Sequence, residues 1–132
     1  MDTLAPNRKK FTTLVVDEEL LFEGFLRAFL EAEGHVALAA SSVEEASSMI
    51  AQHQPDLILL NRALTGSADQ LLIAEILLAH PGAAVILMAV KPSLADVVQA
   101  MHLGAVDYLE LPLDFKQLKR AVDVQRALFD VL

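Results

Sequence analysis

Three consecutive acids, Asp17-Glu18-Glu19, stand directly behind the apolar run Thr13-Leu14-Val15-Val16. Adjacent carboxylates repel one another, so such a cluster persists where water solvates it or a cation neutralises it, and a hard, oxygen-ligated ion such as Mg²⁺ is its usual guest. A solvated loop, or a first helical turn that suits negative charge, is the plain alternative. Other reactive chemistry is thinly represented. The chain has no Cys, which excludes thiolate metal sites, a cysteine nucleophile and a disulfide framework. Its four His, at 35, 53, 80 and 102, show neither i,i+4 spacing nor a common loop, so metal ligation is not expected of them.

The elements that position the acids come next. With 132 residues, 55% of them hydrophobic, the chain suits one domain with a true core. Eighteen acids against ten Lys and Arg leave a net charge of −8, which argues against a broad phosphate-binding surface and hence against direct nucleic-acid binding. Residues 1–10, with Pro6 and the Arg8-Lys9-Lys10 cluster, read as a flexible arm without a secretory signal, and 11–132 as the domain. The longest apolar runs, broken by Glu75 or by Pro and Gly, are too short for a membrane span, so a cytoplasmic protein is expected.

Five short apolar runs have strand length: 13–16, 36–39, 57–60, 84–88 and 106–109. Helical patterns lie between them at about 19–33, 43–53, 68–79, 93–103 and 115–130, with Ser42 and Glu45 spaced as a capping box and Asp114 placed to cap the last. The result is (βα)5. Such alternation predicts an α/β fold with a doubly wound five-stranded parallel sheet, because each parallel pair needs a right-handed crossover. Ligands collect beyond the carboxyl ends of such strands. Those ends carry Asp17, Asn61, Ala89 and the segment Glu110-Leu111-Pro112.

At these positions the chain resembles the CheY-like receiver domain of bacterial response regulators, from Phe11 to about Leu128. The resemblance rests on Leu14 to Glu19, on Glu31-Ala32-Glu33-Gly34-His35, on Pro55 to Leu60, and on Leu103 through Pro112. It implies the flavodoxin-like strand order 2-1-3-4-5. In phosphorylated receivers an Asp at the end of strand three accepts a phosphoryl group, and an acid pair after strand one holds Mg²⁺. The resemblance places the acid pair at Asp17 and Glu18 and the acceptor at Asn61. A carboxamide is neutral and a poor nucleophile, so Asn61 does not form an acyl phosphate. The family's hydroxyl at the end of strand four falls at Ala89, and its Lys before a cis-Pro falls at Leu111, with Pro112 kept as the cis-Pro candidate. Tyr108 matches an aromatic that swings outward or inward with the switch, and both positions are open here. The loop after strand three has Thr65 and Asp69 where relatives often have Pro and Gly, so a different, mobile path is expected. The expectation for metal is none, or weak Mg²⁺ at Asp17 and Glu18.

Two surfaces are candidates for partner contact. Residues 70–79 carry only Gln70 and Glu75 as polar residues, so a second face of that helix is covered either by neighbouring helices or by a partner, with Leu72 and Leu78 as candidates. The last helix concentrates Lys116, Lys119, Arg120 and Arg126, with Lys116, Lys119 and Arg120 as interface candidates. In relatives the face of helix four, strand five and helix five dimerises or controls output, and Asp96, Asp107 and Glu110 could oppose that basic helix across a two-fold axis. A solvated basic face is the alternative for any one of them.

The reading is a non-enzymatic, phosphorylation-independent pseudo-receiver acting by protein–protein contact, expected as a homodimer and as the N-terminal part of a longer regulator whose C-terminal output module controls, for example, transcription. One rival is a small-ligand module using the emptied crevice at Ala89 and Leu111. Another is a Mg-dependent phosphohydrolase of the haloacid dehalogenase type with Asp17 and Glu19 as nucleophile and acid, which lacks a cationic group at the matching strand ends.

Overall fold

Alternate residues of the central runs enter different cores, as the period of two along a strand requires. Leu14 and Val16 of β1 (Thr12–Val16), Ile58 and Leu60 of β3 (Leu57–Asn61), and Val85 and Leu87 of β4 (Ala84–Val90) meet on one face of the sheet. Val15, Leu57, Leu59, Ile86 and Met88 meet on the other. The first face is covered by α2 (Val43–His53), α3 (Asp69–Ala79) and α4 (Leu94–His102), through Ala46, Ile50, Leu72, Ile73, Ile76 and Ala100. The second is covered by α1 (Leu20–Ala32) and α5 (Phe115–Val131), through Leu26, Leu30, Leu118, Ala121 and Val122. These relations come from a computed structural model that describes residues 10–17, 20–62 and 69–131, with 20–23, 69 and 70 described by their backbone alone.

With β2 (Val36–Ala40) and β5 (Asp107–Leu111) at the edges, the sheet is parallel in the order β2-β1-β3-β4-β5, as expected. Its register sets Val16 beside both Ala40 and Leu60, and Asn61 beside Met88, which brings the carboxyl ends of β1 and β3 together. No described helix is long and apolar enough to cross a membrane.

The expected elements are present with shifted ends. β4 runs on to Val90 and β5 to Leu111, because the pairs Ala89↔Glu110 and Val90↔Leu111 continue the ladder past the apolar run. Ladder hydrogen bonds are made by the backbone, so Glu110 joins an edge strand with its side chain exposed. The Ser42 hydroxyl accepts from Glu45 N at 3.0 Å, but the Glu45 carboxylate accepts from Ser41 N rather than from Ser42, so only half of the expected box closes there. A complete box forms at Ser93 and Asp96 instead. Asp114 caps α5 by accepting from Lys116 N at 2.8 Å. Gly104, at φ +112°, leads into β5 against α3, where a Cβ would stand 2.6 Å from Leu77 Cδ1.

One surface candidate is corrected by this packing. Leu72 is 4% exposed and belongs to the core between α3 and the sheet, so it is not available to a partner. Leu78 and Leu71, one heptad apart, are 85% and 65% exposed on the other side of the helix. Leu72→Ala should therefore cost about 2–5 kcal/mol of folding free energy, and Leu78→Ala no more than about 0.5 kcal/mol, when urea midpoints are compared.

Candidate functional site

Of the crevice candidates, Asp17, Asn61, Ala89 and Leu111 stand at or near the carboxyl ends of strands. Asp17, the residue after β1, is 1% exposed and donates its backbone N–H to Ala40 O at 3.0 Å. Asn61 closes β3 and is 9% exposed. Its side-chain Nδ2 donates to Asp17 Oδ2 at 3.2 Å, a hydrogen bond to a charged acceptor out of reach of bulk water. Ala89 lies buried on the neighbouring strand, opposite Glu110. Leu111 is half-buried against the α1/α5 core, and the Leu111–Pro112 bond is cis, as expected. Glu18, Glu19 and Thr65 lie outside the described residues, and Asp69 is seen as the start of α3.

Chemically, the described crevice holds one carboxylate faced by an amide donor. That donor occupies a lone-pair direction that a cation would otherwise take, and the amide adds no negative charge. Among the described residues no three His, Asp or Glu side chains converge on one point. Tight Mg²⁺ sites usually have two or more charged oxygens, and Glu18, the other member of the acid pair, lies outside the described residues.

Arg62 follows Asn61 directly and was not anticipated as a site residue. Its guanidinium bonds Asp96 at 2.8 Å, with both side chains about one-third exposed. Asp96 also accepts from Ser93 N in the capping box of α4. The Arg62 hydrogen bond, followed by the backbone and side chain of Ser93, holds the Asp96 carboxyl below its ordinary range. Asp96, one of the acids that could oppose the basic helix across a two-fold axis, thus has a partner within its own chain. The only sequence signal was an Arg next to a strand end, which has no spacing relation to position 96. The β4–α4 connection is further shaped by Lys91, whose φ of 44° is left-handed.

Tyr108 is turned inward: its ring packs on the α2–α4 core and its hydroxyl oxygen is buried. The basic helix divides. Lys119 bonds Glu33 at 2.7 Å and Asp123 at 3.0 Å, which raises its own proton affinity and commits it to the α1 side of α5. Lys119 remains about half-exposed, so these intramolecular pairs leave its interface assignment open to test. Arg120 instead lines a shallow groove beside β5 with Val106, Gln117 and Val124, and Lys116 is exposed at the first turn of α5. Val124 of that groove is exposed, as are Leu94, Val98 and Met101 of α4 and Leu128 of α5.

The response regulator receiver domain family matches residues 13–123. The chain is 28% identical over 123 residues to a probable C4-dicarboxylate response regulator DctR of Priestia megaterium, covering 92% of this chain and 54% of that protein. It is 33% identical to the nitrogen assimilation regulatory protein NtrX of Azorhizobium caulinodans, covering 87% of this chain and 25% of that one. A response regulator from Thermotoga maritima has the same fold, with a TM-score of 0.82 at 23% identity over 89% of this chain and 98% of its own. The chain thus spans about half or a quarter of the length of these two regulators.

Replacing Asn61 by Asp would set a second carboxylate against buried Asp17. Like charges so close share a proton at raised affinity, so the folded state of Asn61→Asp takes up protons before the unfolded chain does. Its stability relative to the parent should be lower by about 1–3 kcal/mol near neutral pH and recover as pH falls toward about 5. Urea melts of both chains across that range check the sign.

Proposed function

The chain belongs to the response regulator receiver domain family, and from that premise we propose that it is a phosphorylation-independent pseudo-receiver that signals through protein contact. The observation that carries this reading is the hydrogen bond from Asn61 Nδ2 to Asp17 Oδ2. It occupies the position that the family resemblance assigns to the phosphoacceptor with a group that neither attacks phosphorus nor repels its neighbour. Ala89 brings no hydroxyl and Leu111 no ammonium to the same crevice. We assign Asn61, Ala89 and Leu111 as degenerate switch positions, and Asp17 with Glu18 as the remainder of an acid pair with weak Mg²⁺ affinity at most.

A fixed switch is the consequence. The Arg62–Asp96 pair ties the end of β3 to the first turn of α4, and Tyr108 is already inward. Output then depends on what the α4–β5–α5 face meets. Leu94, Val98, Met101, Val106, Val124 and Leu128 expose an apolar surface there, and we assign it to a second copy of this chain, with Arg120 and Lys116 opposite Asp107 and Glu110. The relatives include transcriptional regulators such as ZraR of Escherichia coli, of which the match covers 25%. A C-terminal output module acting in transcription is the corresponding proposal for the whole protein, located in the cytoplasm and without enzymatic activity of this domain.

Two experiments test these assignments. Asn61→Asp, incubated with a small phosphodonor and Mg²⁺, is expected to form no lasting acyl phosphate by intact mass, since Ala89 and Leu111 still lack their donors; stoichiometric labelling would overturn the reading. Val98→Glu combined with Met101→Glu should abolish self-association in sedimentation while leaving the thermal midpoint within a few degrees, because both side chains are exposed.

A further inference from the structure

The opposite end of the sheet holds a buried titratable group that the switch region does not use. His35, at the entry to β2, is 6% exposed. Its Nδ1 is 3.2 Å from the Thr13 hydroxyl, itself fully buried. The His35 ring meets Phe11 edge to face at 4.9 Å, and Phe11 meets Phe129 of α5 in the same way at 5.1 Å. The Arg126 guanidinium lies over the Phe11 ring at 5.5 Å. The last turns of α5 are therefore fastened to the sheet through Phe11, with His35 behind it.

We propose that His35 is an acid-sensitive clasp, whose protonation loosens the carboxyl-terminal turns of α5 from the amino ends of β1 and β2. A charged imidazolium there would be stripped of water and set near a second cation. Burial first, and Arg126 second, hold the His35 proton affinity below its ordinary value of 6.5, against the opposing pull of Glu33 and Asp123. Both acids are already engaged by Lys119, and Arg126 has Asp130 at 3.5 Å. From β1 the facing groups are Thr13 and Phe11, which bring no charge. The clasp is fully closed above pH 6.5 and weakens as pH falls from there through the folded-state value, since the unfolded histidine takes the proton first. α5 is the element through which anything C-terminal to this domain is joined to it. Acid would thus alter that junction without touching the crevice at Asp17.

Amide hydrogen exchange of the 132-residue chain, expressed as protection factors between about pH 8 and about pH 5, tests the clasp. Residues 122–130 should lose protection severalfold, whereas His35→Phe, which keeps a ring against Phe11, should hold it. An equal loss in His35→Phe overturns the proposal. If that variant does not fold, imidazole titration of the parent decides. His35 protonating below its ordinary 6.5, with α5 resonances moving at the same midpoint, supports the clasp. His35 protonating at or above 6.5, or α5 moving independently of it, overturns it.

Discussion

Burial of β1, β3 and β4 on both faces is the constraint from which the other features follow. Parallel strands cannot be joined by tight turns, so each needs a crossover helix, and the five helices must divide between the faces to keep both out of water. Two apolar layers result, one under α2, α3 and α4 and the other under α1 and α5. Because all strands point one way, everything that follows β1, β3, β4 and β5 collects at one end. The residues that precede β1 and β2 collect at the other. Asp17 and Asn61 meet at the first end and Phe11 and His35 at the second, with the core between them.

At the carboxyl ends the balance of charge is unusual for a crevice of this kind. An isolated carboxylate as deeply buried as Asp17 is costly unless a donor or cation answers it. Here a neutral amide answers it, beside further contacts of Asp17 within the chain. Arg62 carries a positive charge directly behind β3, and it bonds Asp96. A partly exposed pair of that type contributes little to stability by itself. Its importance is geometric, because it joins β3 to the start of α4 beside the apolar residues that α4 exposes.

Several of the eighteen acids are engaged within the chain when residues are placed. Glu33, Asp96, Asp123 and Asp130 each have a basic partner within the chain. Much of what looked like free charge on α5 is therefore committed. Exposed apolar side chains remain on both α4 and α5, among them Leu94, Val98, Met101, Val124 and Leu128.

Much of this was legible in the residues themselves. The (βα)5 order, the buried third strand, the cis-Pro position and the set of strand-end residues followed from apolar periodicity, punctuation by Gly and Pro, and family resemblance, because these are local signals repeated along the chain. What remained open depended on distance through space. Leu72 and Leu78 are chemically alike and six residues apart, yet only the path of α3 across the sheet buries one and exposes the other. Asp96 and Lys119 looked like surface charges until the folded chain supplied Arg62 and Glu33, 34 and 86 residues away in sequence. His35 looked like an ordinary cap residue, and only the arrival of Phe11, Thr13 and α5 around it made it a buried base. Composition and spacing determine which side chains a helix or strand can present; which groups finally answer them is decided by the packing of elements far apart in the chain.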